Sequence, residues 1–111
     1  MAANDPAPPR ATAPVDVAEM TARANQAAAL LKALSHEGRL MILCHLSTGE
    51  KSVTELERLL GQRQAAVSQQ LARLRADGLV QARRDGKAIY YSLGDPRAGR
   101  VVGLLYEMFC G

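Results

Sequence analysis

The sequence has no tryptophan, and its only aromatic residues are three tyrosines and one phenylalanine in 111 positions. So few aromatic side chains cannot form the stacking platform on which proteins bind single-stranded nucleic acid. No stretch reaches the roughly 18 apolar residues of a membrane span. The N-terminal segment MAANDPAPPRATAP also lacks the apolar core of a signal peptide. We therefore expect a cytoplasmic protein that has no membrane partner.

Cysteine is the next scarce residue, since Cys44 and Cys110 are the only two in the chain. Thiols in a protein without an export signal normally start out reduced. The chain also has no Cys-x-x-Cys pair, no glycine-rich phosphate loop and no paired-histidine motif. We predict from these absences that the protein is not an enzyme, that it has no catalytic residue, and that it binds no metal or cofactor.

What the chain does contain is a concentrated basic segment. Residues 63–100 hold eight lysines and arginines and three acidic residues, a net charge of +5, whereas the whole chain carries +3. Such a segment indicates a face that binds a polyanion, nucleic acid in particular, although a solvated surface gives the same composition. With 48% apolar residues in 111 positions, the chain fits one small globular domain, of a size that often gains stability by oligomerising.

The predicted elements divide the chain into a tail and a domain. Residues 1–14 contain four prolines among small and polar residues, which predicts a disordered N-terminal tail. From residue 15, apolar residues at three-to-four spacing predict a first helix that runs to Leu34. A second helix is predicted over about 36–47, with Ser35 ending the first helix and capping the second. Residues 15–111 are therefore expected to form the folded domain.

The segment from residue 52 to residue 93 predicts a helix-turn-helix followed by a hairpin. SVTE (52–55) fits a capping box at the start of a short helix, and a longer basic helix follows over 62–78. Two β-prone runs flank Asp85-Gly86, which is a strong hairpin signal, and Asp95-Pro96 begins a last helix. The fold class is thus mainly α with a β-hairpin wing, a winged helix-turn-helix of order α-α-α-α-β-β-α.

Candidate DNA contacts follow from this arrangement. The longer basic helix turns an apolar stripe inward, so a rotation of about 100° per residue leaves Ser68, Gln69 and Arg73 outward, with Gln64 at the N-terminal end. Gln69 can bond an adenine edge in two places, and Ser68 can bond most bases. An ordinary amphipathic helix would show the same pattern. The adjoining hairpin tip favours DNA, because it adds three cations that can neutralise phosphates: Arg83, Arg84 and Lys87.

Three segments in this order resemble the ArsR/SmtB winged-helix repressors of bacteria: LKALSHEGRLMIL, SVTELERLLGQRQAAVSQQLARLRADGLV and RRDGKAIYYSL. The resemblance covers about residues 27–109. It implies a homodimer joined by its first and last helices, which binds double-stranded operator DNA and releases it on sensing an inducer. With two recognition helices about 34–36 Å apart, the operator would be an inverted repeat.

The metal sites of that family do not fit this sequence. In the site formed by the capped helix, Ser52 and Thr54 stand where the resemblance would require cysteines. The site in the last helix needs histidines and carboxylates, but this helix has no histidine and only Glu107 inside it. Both departures support the prediction that no metal is bound.

The two cysteines instead resemble the persulfide-sensing branch of the family, in which a polysulfide bridges two thiols and DNA is released. This resemblance implies that Cys44 and Cys110 are redox-sensing residues and that a reactive sulfur species is the inducer. A metal- or peroxide-responsive repressor that uses the same cysteines is the alternative. Taken singly, Cys44 could be a small core residue and Cys110 a frayed helix end. Outside this class, an interaction protein that does not bind DNA stays open.

Overall fold

The computed structural model describes residues 16–111, so the tail predicted for residues 1–14 lies outside the described part of the chain. A winged helix-turn-helix is confirmed, with the third and fourth helices as the helix pair and the last two strands as the wing. The elements are α1 (Val17–Leu34), α2 (Glu37–Leu46), β1 (Lys51–Ser52), α3 (Val53–Leu60), α4 (Gln64–Ala76), β2 (Val80–Asp85), β3 (Ala88–Leu93) and α5 (Pro96–Cys110).

Helix α2 lies at the centre of the domain and packs against all four other helices. Its side chains Ile42, Leu43 and Leu46 are buried. Burying an aliphatic side chain of this size stabilises the fold by roughly 1.5–3 kcal/mol, so α2 holds the other helices in place. The buried residues that α3, α4 and α5 contribute to the same core are Leu56, Val67, Leu71, Leu74, Ala98 and Val102.

Local capping signals set where several helices begin and end. The predicted capping box is present, since the Glu55 amide donates to Ser52 Oγ at 3.0 Å and the Ser52 amide donates to Glu55 Oε1 at 2.9 Å. Gly61 ends α3 with a φ of +63°, a left-handed conformation that glycine adopts without strain. The prediction that Ser35 caps α2 is wrong, because Ser35 has helical geometry as the C-cap of α1 and His36 Nδ1 accepts the first-turn amide instead.

A third strand, which the sequence pattern did not predict, joins the wing. Lys51 and Ser52 of β1 pair antiparallel with Tyr91 and Tyr90 of β3, so the strand order is β1-β3-β2. A strand of two residues is too short to show the alternation by which strands are recognised. The hairpin between β2 and β3 turns at Gly86 as predicted, with a φ of +63°.

The first and last helices leave large apolar side chains in solvent. The apolar stripe predicted for α1 enters the core only at its end, where Ala33 and Leu34 are buried, whereas Leu31 is 59% exposed. In α5, Phe109 is 79% exposed. So many exposed apolar side chains on two helices indicate a surface that a binding partner covers. The other exposed apolar residues of these helices are Val17, Met20, Leu104, Tyr106 and Met108.

The central position of α2 predicts an unequal cost for two leucine truncations. Leu43→Ala is expected to lower the free energy of unfolding by about 2–5 kcal/mol, because it leaves a cavity in the core. Leu59→Ala is the matched control, since Leu59 is 44% exposed, and it should cost less than about 1 kcal/mol. Urea unfolding followed by circular dichroism at one fixed protein concentration measures both. Equal costs would contradict the assignment of α2 as the core helix.

Candidate DNA-binding surface and thiol groove

Helix α4 presents the predicted recognition residues to solvent. Gln64 is its first residue, and Ser68 and Gln69 are exposed one turn later. Arg73 is exposed too, but its Nε donates to Asp77 Oδ2 at 3.2 Å, so this charge is partly neutralised within the helix. The buried stripe on the opposite side follows the predicted inward face. The roles of these residues in reading DNA stay predictions.

A long-range ion pair holds Arg83 of the wing. Its Nη2 donates to Glu50 Oε1 at 2.7 Å and its Nε donates to Glu50 Oε2 at 3.1 Å. The guanidinium carbon lies 4.9 Å from the centroid of the Tyr90 ring, and Asp85 Oδ2 lies 3.7 Å from Nη1. The hydrogen bonds from Arg83 lower the pKa of the Glu50 carboxyl. Both partners are substantially exposed, so the pair adds little stability, and its effect is to fix the wing to the loop before β1.

The sequence pattern predicts phosphate contacts for Arg83 and gives no sign of Glu50. The two residues are 33 positions apart, and no local pattern joins them. Their proximity follows from β1 pairing with β3, which brings the loop before β1 beside the wing. Because Arg83 already has a carboxylate partner, its predicted contact with a phosphate has to compete with Glu50.

Arg84 and Lys87 are exposed cations of the hairpin, and neither forms an ion pair with another residue of the segment 16–111. Lys87 and Gln64 line one cleft of about 430 Å³ between the wing and the helix pair, together with Thr54. The fold therefore joins the hairpin and the start of α4 into one surface. A phosphate backbone lying along this surface would meet Lys87 while α4 faces the bases.

An apolar groove of about 490 Å³ lies between α2 and α5, and we call it the thiol groove. Cys44 in the last turn of α2 and Cys110 at the end of α5 both line it. Both are free thiols; Cys44 is partly buried against the core, whereas Cys110 is exposed. The fold thus brings to one place two cysteines that are 66 positions apart. The other lining residues are Met41, His45, Ser47, Thr48, Val102, Gly103 and Tyr106.

The two thiols have different environments within the groove. Burial raises the pKa of the Cys44 thiol, and the charge of Cys110 raises it further. Like charges disfavour each other, so the pair resists the state in which both sulfurs are thiolates. The thiolate is the attacking species in sulfur chemistry. Because Cys110 is exposed, it is the more accessible of the two sulfurs to a reagent from solvent.

Metal ligands do not cluster in the described part of the protein. Within residues 16–111, no three histidine, cysteine, aspartate or glutamate side chains lie together as a metal ion would require. Ser52, which the resemblance places at a cysteine position of a metal site, instead caps α3. None of the helices between residues 16 and 111 combines the length and the apolar character that crossing a membrane requires.

The fold and this surface define the class of winged helix-turn-helix regulators. A family described as "Bacterial regulatory protein, arsR family" matches residues 36–82. The chain is also 46% identical over 102 residues to the biofilm growth-associated repressor of Agrobacterium fabrum, an alignment that covers 87% of each chain. The chain therefore belongs to the ArsR family.

Solved structures of relatives agree with this assignment. The structure of reduced HlyU from Vibrio cholerae superposes with a TM-score of 0.82 at 40% identity, covering 86% of this chain and 100% of that one. HlyU is described as a transcriptional activator. The homodimeric winged helix-turn-helix domain of Mb0332 from Mycobacterium bovis superposes with a TM-score of 0.71 at 30% identity, covering 86% and 89%. The relatives thus include a repressor and an activator.

The ion pair in the wing predicts different salt dependences for two neighbouring arginines. Arg84→Ala should reduce the slope of log K against log salt by about 0.9, the value for one lost phosphate contact. Arg83→Ala should change that slope less, because Glu50 already neutralises Arg83. Fluorescence anisotropy with a non-specific duplex at several salt concentrations measures both slopes. Equal reductions by the two variants would show that Arg83 binds phosphate in spite of Glu50.

Proposed function

We propose that the protein is a DNA-binding transcriptional repressor that releases its operator when a reactive sulfur species bridges Cys44 and Cys110. The observation that carries this proposal is the placement of both thiols in one groove between α2 and α5. Membership of the ArsR family supports the regulatory part. One thiol is exposed and the other is partly buried beside it. The first can react with a sulfur compound from solvent and the second can then close the bridge, which supports a reactive sulfur species as the inducer.

The DNA-binding part of the proposal rests on α4 and the wing. Small and polar residues on the outer face of α4 allow its close approach to a major groove, where Ser68 and Gln69 would meet base edges. Arg84 and Lys87 would contact phosphates on either side. This division leaves sequence reading to the helix and most of the salt dependence to the wing.

The operator-binding species in this proposal is a homodimer. The exposed apolar side chains of α1 and α5 lie on the two terminal helices, and a symmetric pairing of two chains would bury both sets. The relative from Mycobacterium bovis is described as homodimeric, which supports the same assembly here. Two recognition helices related by a two-fold axis would favour an inverted-repeat operator.

The bridging chemistry balances without an external oxidant. The Cys110 thiolate attacks the outer sulfur of a persulfide RSSH, so Cys110–S–SH forms and RS⁻ leaves. Cys44 then loses its proton to solvent and attacks the sulfur of Cys110, so a disulfide forms and HS⁻ leaves. If Cys44 first gains a sulfur in the same way, its terminal sulfur attacks and the bridge is a trisulfide. In each route the donor's sulfur is reduced while the cysteines are oxidised.

A bridge would reach the DNA-binding surface through α2. Helix α2 packs on α4, and the two approach closely at Gly38, where an added Cβ would clash with the end of the Gln70 side chain. Helix α5 carries the apolar face proposed for the dimer. Tying α5 to α2 would therefore fix α4 and the wing relative to the two-fold axis of the dimer. This would change the spacing of the two recognition helices.

The central test is persulfide treatment of the folded protein. Wild type should gain a bridge within one chain, visible in the intact mass as one added sulfur with loss of two hydrogens for a trisulfide, or as loss of two hydrogens alone for a disulfide, and should lose affinity for its operator. A loop of 66 residues closed by this bridge should stabilise the protein by about 4 kcal/mol if the native state is unstrained.

Cys44→Ser and Cys110→Ser are the matched variants for this test. Each should remain bound to DNA after treatment, because neither can form the bridge. If either single variant releases DNA as wild type does, the two-cysteine proposal is wrong. A bridge that peroxide forms as readily as persulfide does, with no sulfur added, would instead favour the peroxide-responsive alternative.

The dimer is tested by placing a charge on its proposed surface. Leu31→Glu in α1 should weaken association, because burying an unpaired carboxylate is costly. Leu59→Glu in α3 is the control, since Leu59 is also exposed but lies outside α1 and α5. Sedimentation velocity at micromolar concentration separates the two species. A wild-type monomer that still binds an inverted repeat tightly would contradict the proposed assembly.

A further inference from the structure

We infer that a cleft between the start of α2 and the exposed face of α4 binds a phosphate of the DNA backbone through Arg39. This inference rests on the DNA-binding part of the proposed function and adds a contact that lies outside α4 and the wing. Two features support it, namely how Arg39 is held and which charges share its cleft.

Arg39 is held in place by backbone carbonyls. Its Nε donates to the Ala33 carbonyl oxygen at 2.8 Å, and its Nη2 donates to the Lys32 carbonyl oxygen at 3.3 Å. Both carbonyls belong to the last turn of α1, where helix carbonyls lack partners within the helix. A guanidinium has five N–H donors. These two bonds therefore fix the position of Arg39 and leave other donors for a ligand.

The charge of Arg39 is not compensated by a carboxylate among the described residues. No aspartate or glutamate of the segment 16–111 forms an ion pair with it. The arginines that do pair with a carboxylate are Arg23, Arg73, Arg83 and Arg97. Arg39 thus combines a fixed position with a charge that an anion can use. A cation positioned in advance loses little side-chain freedom on binding.

The cleft beside Arg39 has a volume of about 270 Å³ and joins the start of α2 to the exposed face of α4. The lining residues are His36, Arg39, Gln69, Gln70 and Arg73. None of these described lining residues is acidic, and Glu37 lines a neighbouring cleft instead. Arg73 adds part of its charge, since one of its nitrogens is bonded to Asp77. An anion in this cleft would therefore meet two guanidinium groups.

The cleft is placed to contact a different phosphate from the wing. Gln69 lines it and also belongs to the face of α4 that is predicted to read bases. The wing meets α4 elsewhere, because Lys87 lines a cleft with Gln64, the first residue of the helix. A recognition helix in the major groove has a phosphate backbone on each side, and a second helix commonly contacts that backbone. Helix α2 supplies this contact through Arg39.

Two substitutions of His36 test the charge of the cleft without changing Arg39. The His36 side chain accepts the Arg39 amide as the N-cap of α2, and aspartate and asparagine are both good N-caps. His36→Asp adds a carboxylate to the cleft, and His36→Asn is the uncharged control of the same shape. Fluorescence anisotropy of the reduced full-length protein with a random-sequence duplex at several salt concentrations compares them.

His36→Asp should weaken binding roughly tenfold, since a hydrogen-bonded charge contact is lost. It should also reduce the slope of log K against log salt by about 0.9, the value for one phosphate. His36→Asn should keep the wild-type slope. Equal slopes for the two variants would contradict the phosphate contact.

Substitutions of Arg39 separate phosphate binding from the capping of α1. Arg39→Gln should reduce the slope by about 0.9, whereas Arg39→Lys keeps the charge and should keep the slope. Lys32→Gln is the charge-matched control, because Lys32 is exposed and does not line the cleft. Urea unfolding of each variant measures the capping role. If Arg39 only caps α1, Arg39→Gln will lower the free energy of unfolding and leave the slope unchanged.

A double variant tests whether the cleft and the wing bind different phosphates. The reductions caused by Arg39→Gln and Arg84→Ala should add to about 1.8. A double variant with the same slope as Arg84→Ala alone would contradict a second contact. If Arg39→Gln does not fold, the His36 variants decide, since both leave the bonds from Arg39 to α1 in place.

The outcomes distinguish this inference from the proposed function. Wild type that binds the duplex with a steep salt dependence, together with equal slopes for His36→Asp and His36→Asn, would overturn the Arg39 contact and leave the DNA-binding function intact. Wild type that binds neither this duplex nor sheared genomic DNA at low salt would overturn both.

Discussion

The buried position of α2 is the constraint on which the rest of the structure depends. Its inward side chains form the core with every other helix, and Ile42 and Leu43 have no exposed surface. A helix held in this way cannot rotate or slide without opening the core, because protein interiors are close-packed. Whatever binds at one end of α2 therefore acts on a rigid element.

That rigid element joins the two candidate sites. Near its N-terminus, Gly38 lies against Gln70 of α4, and near its C-terminus Cys44 lines the thiol groove. Ten residues of helix span about 15 Å, so a change at the thiols needs no long relay to reach α4. By contrast Ala98 and Val102 are the only buried residues of α5, and its other residues are partly or fully exposed. The proposed bridge is therefore expected to reorient α5 and to leave the close-packed α2 undeformed.

Local chemistry explains which features the sequence could predict. The Ser52–Glu55 capping box and the turn at Gly86 depend on residues a few positions apart. Both are predicted from the sequence and are present in the structure. The pairing of β1 with β3 and the ion pair between Glu50 and Arg83 depend on tertiary packing, and both were missed. The proximity of the two cysteines was expected from family resemblance alone, since periodicity assigns each one to a helix without placing the helices side by side.

The distribution of charge shows why composition overstates the basic surface. The segment 63–100 carries a net charge of +5, but Arg83 is paired with Glu50, a residue outside that segment. The net charge of residues 63–100 includes Arg83 but omits the Glu50 carboxylate that pairs with it. The unpaired positive charge of the wing is therefore smaller than the net charge of the segment suggests. Arg84 and Lys87 have no ion-pair partner within residues 16–111. The pair at Arg83 joins the wing to the loop before β1, so the predicted attraction of the wing for phosphate falls mainly to these other two cations.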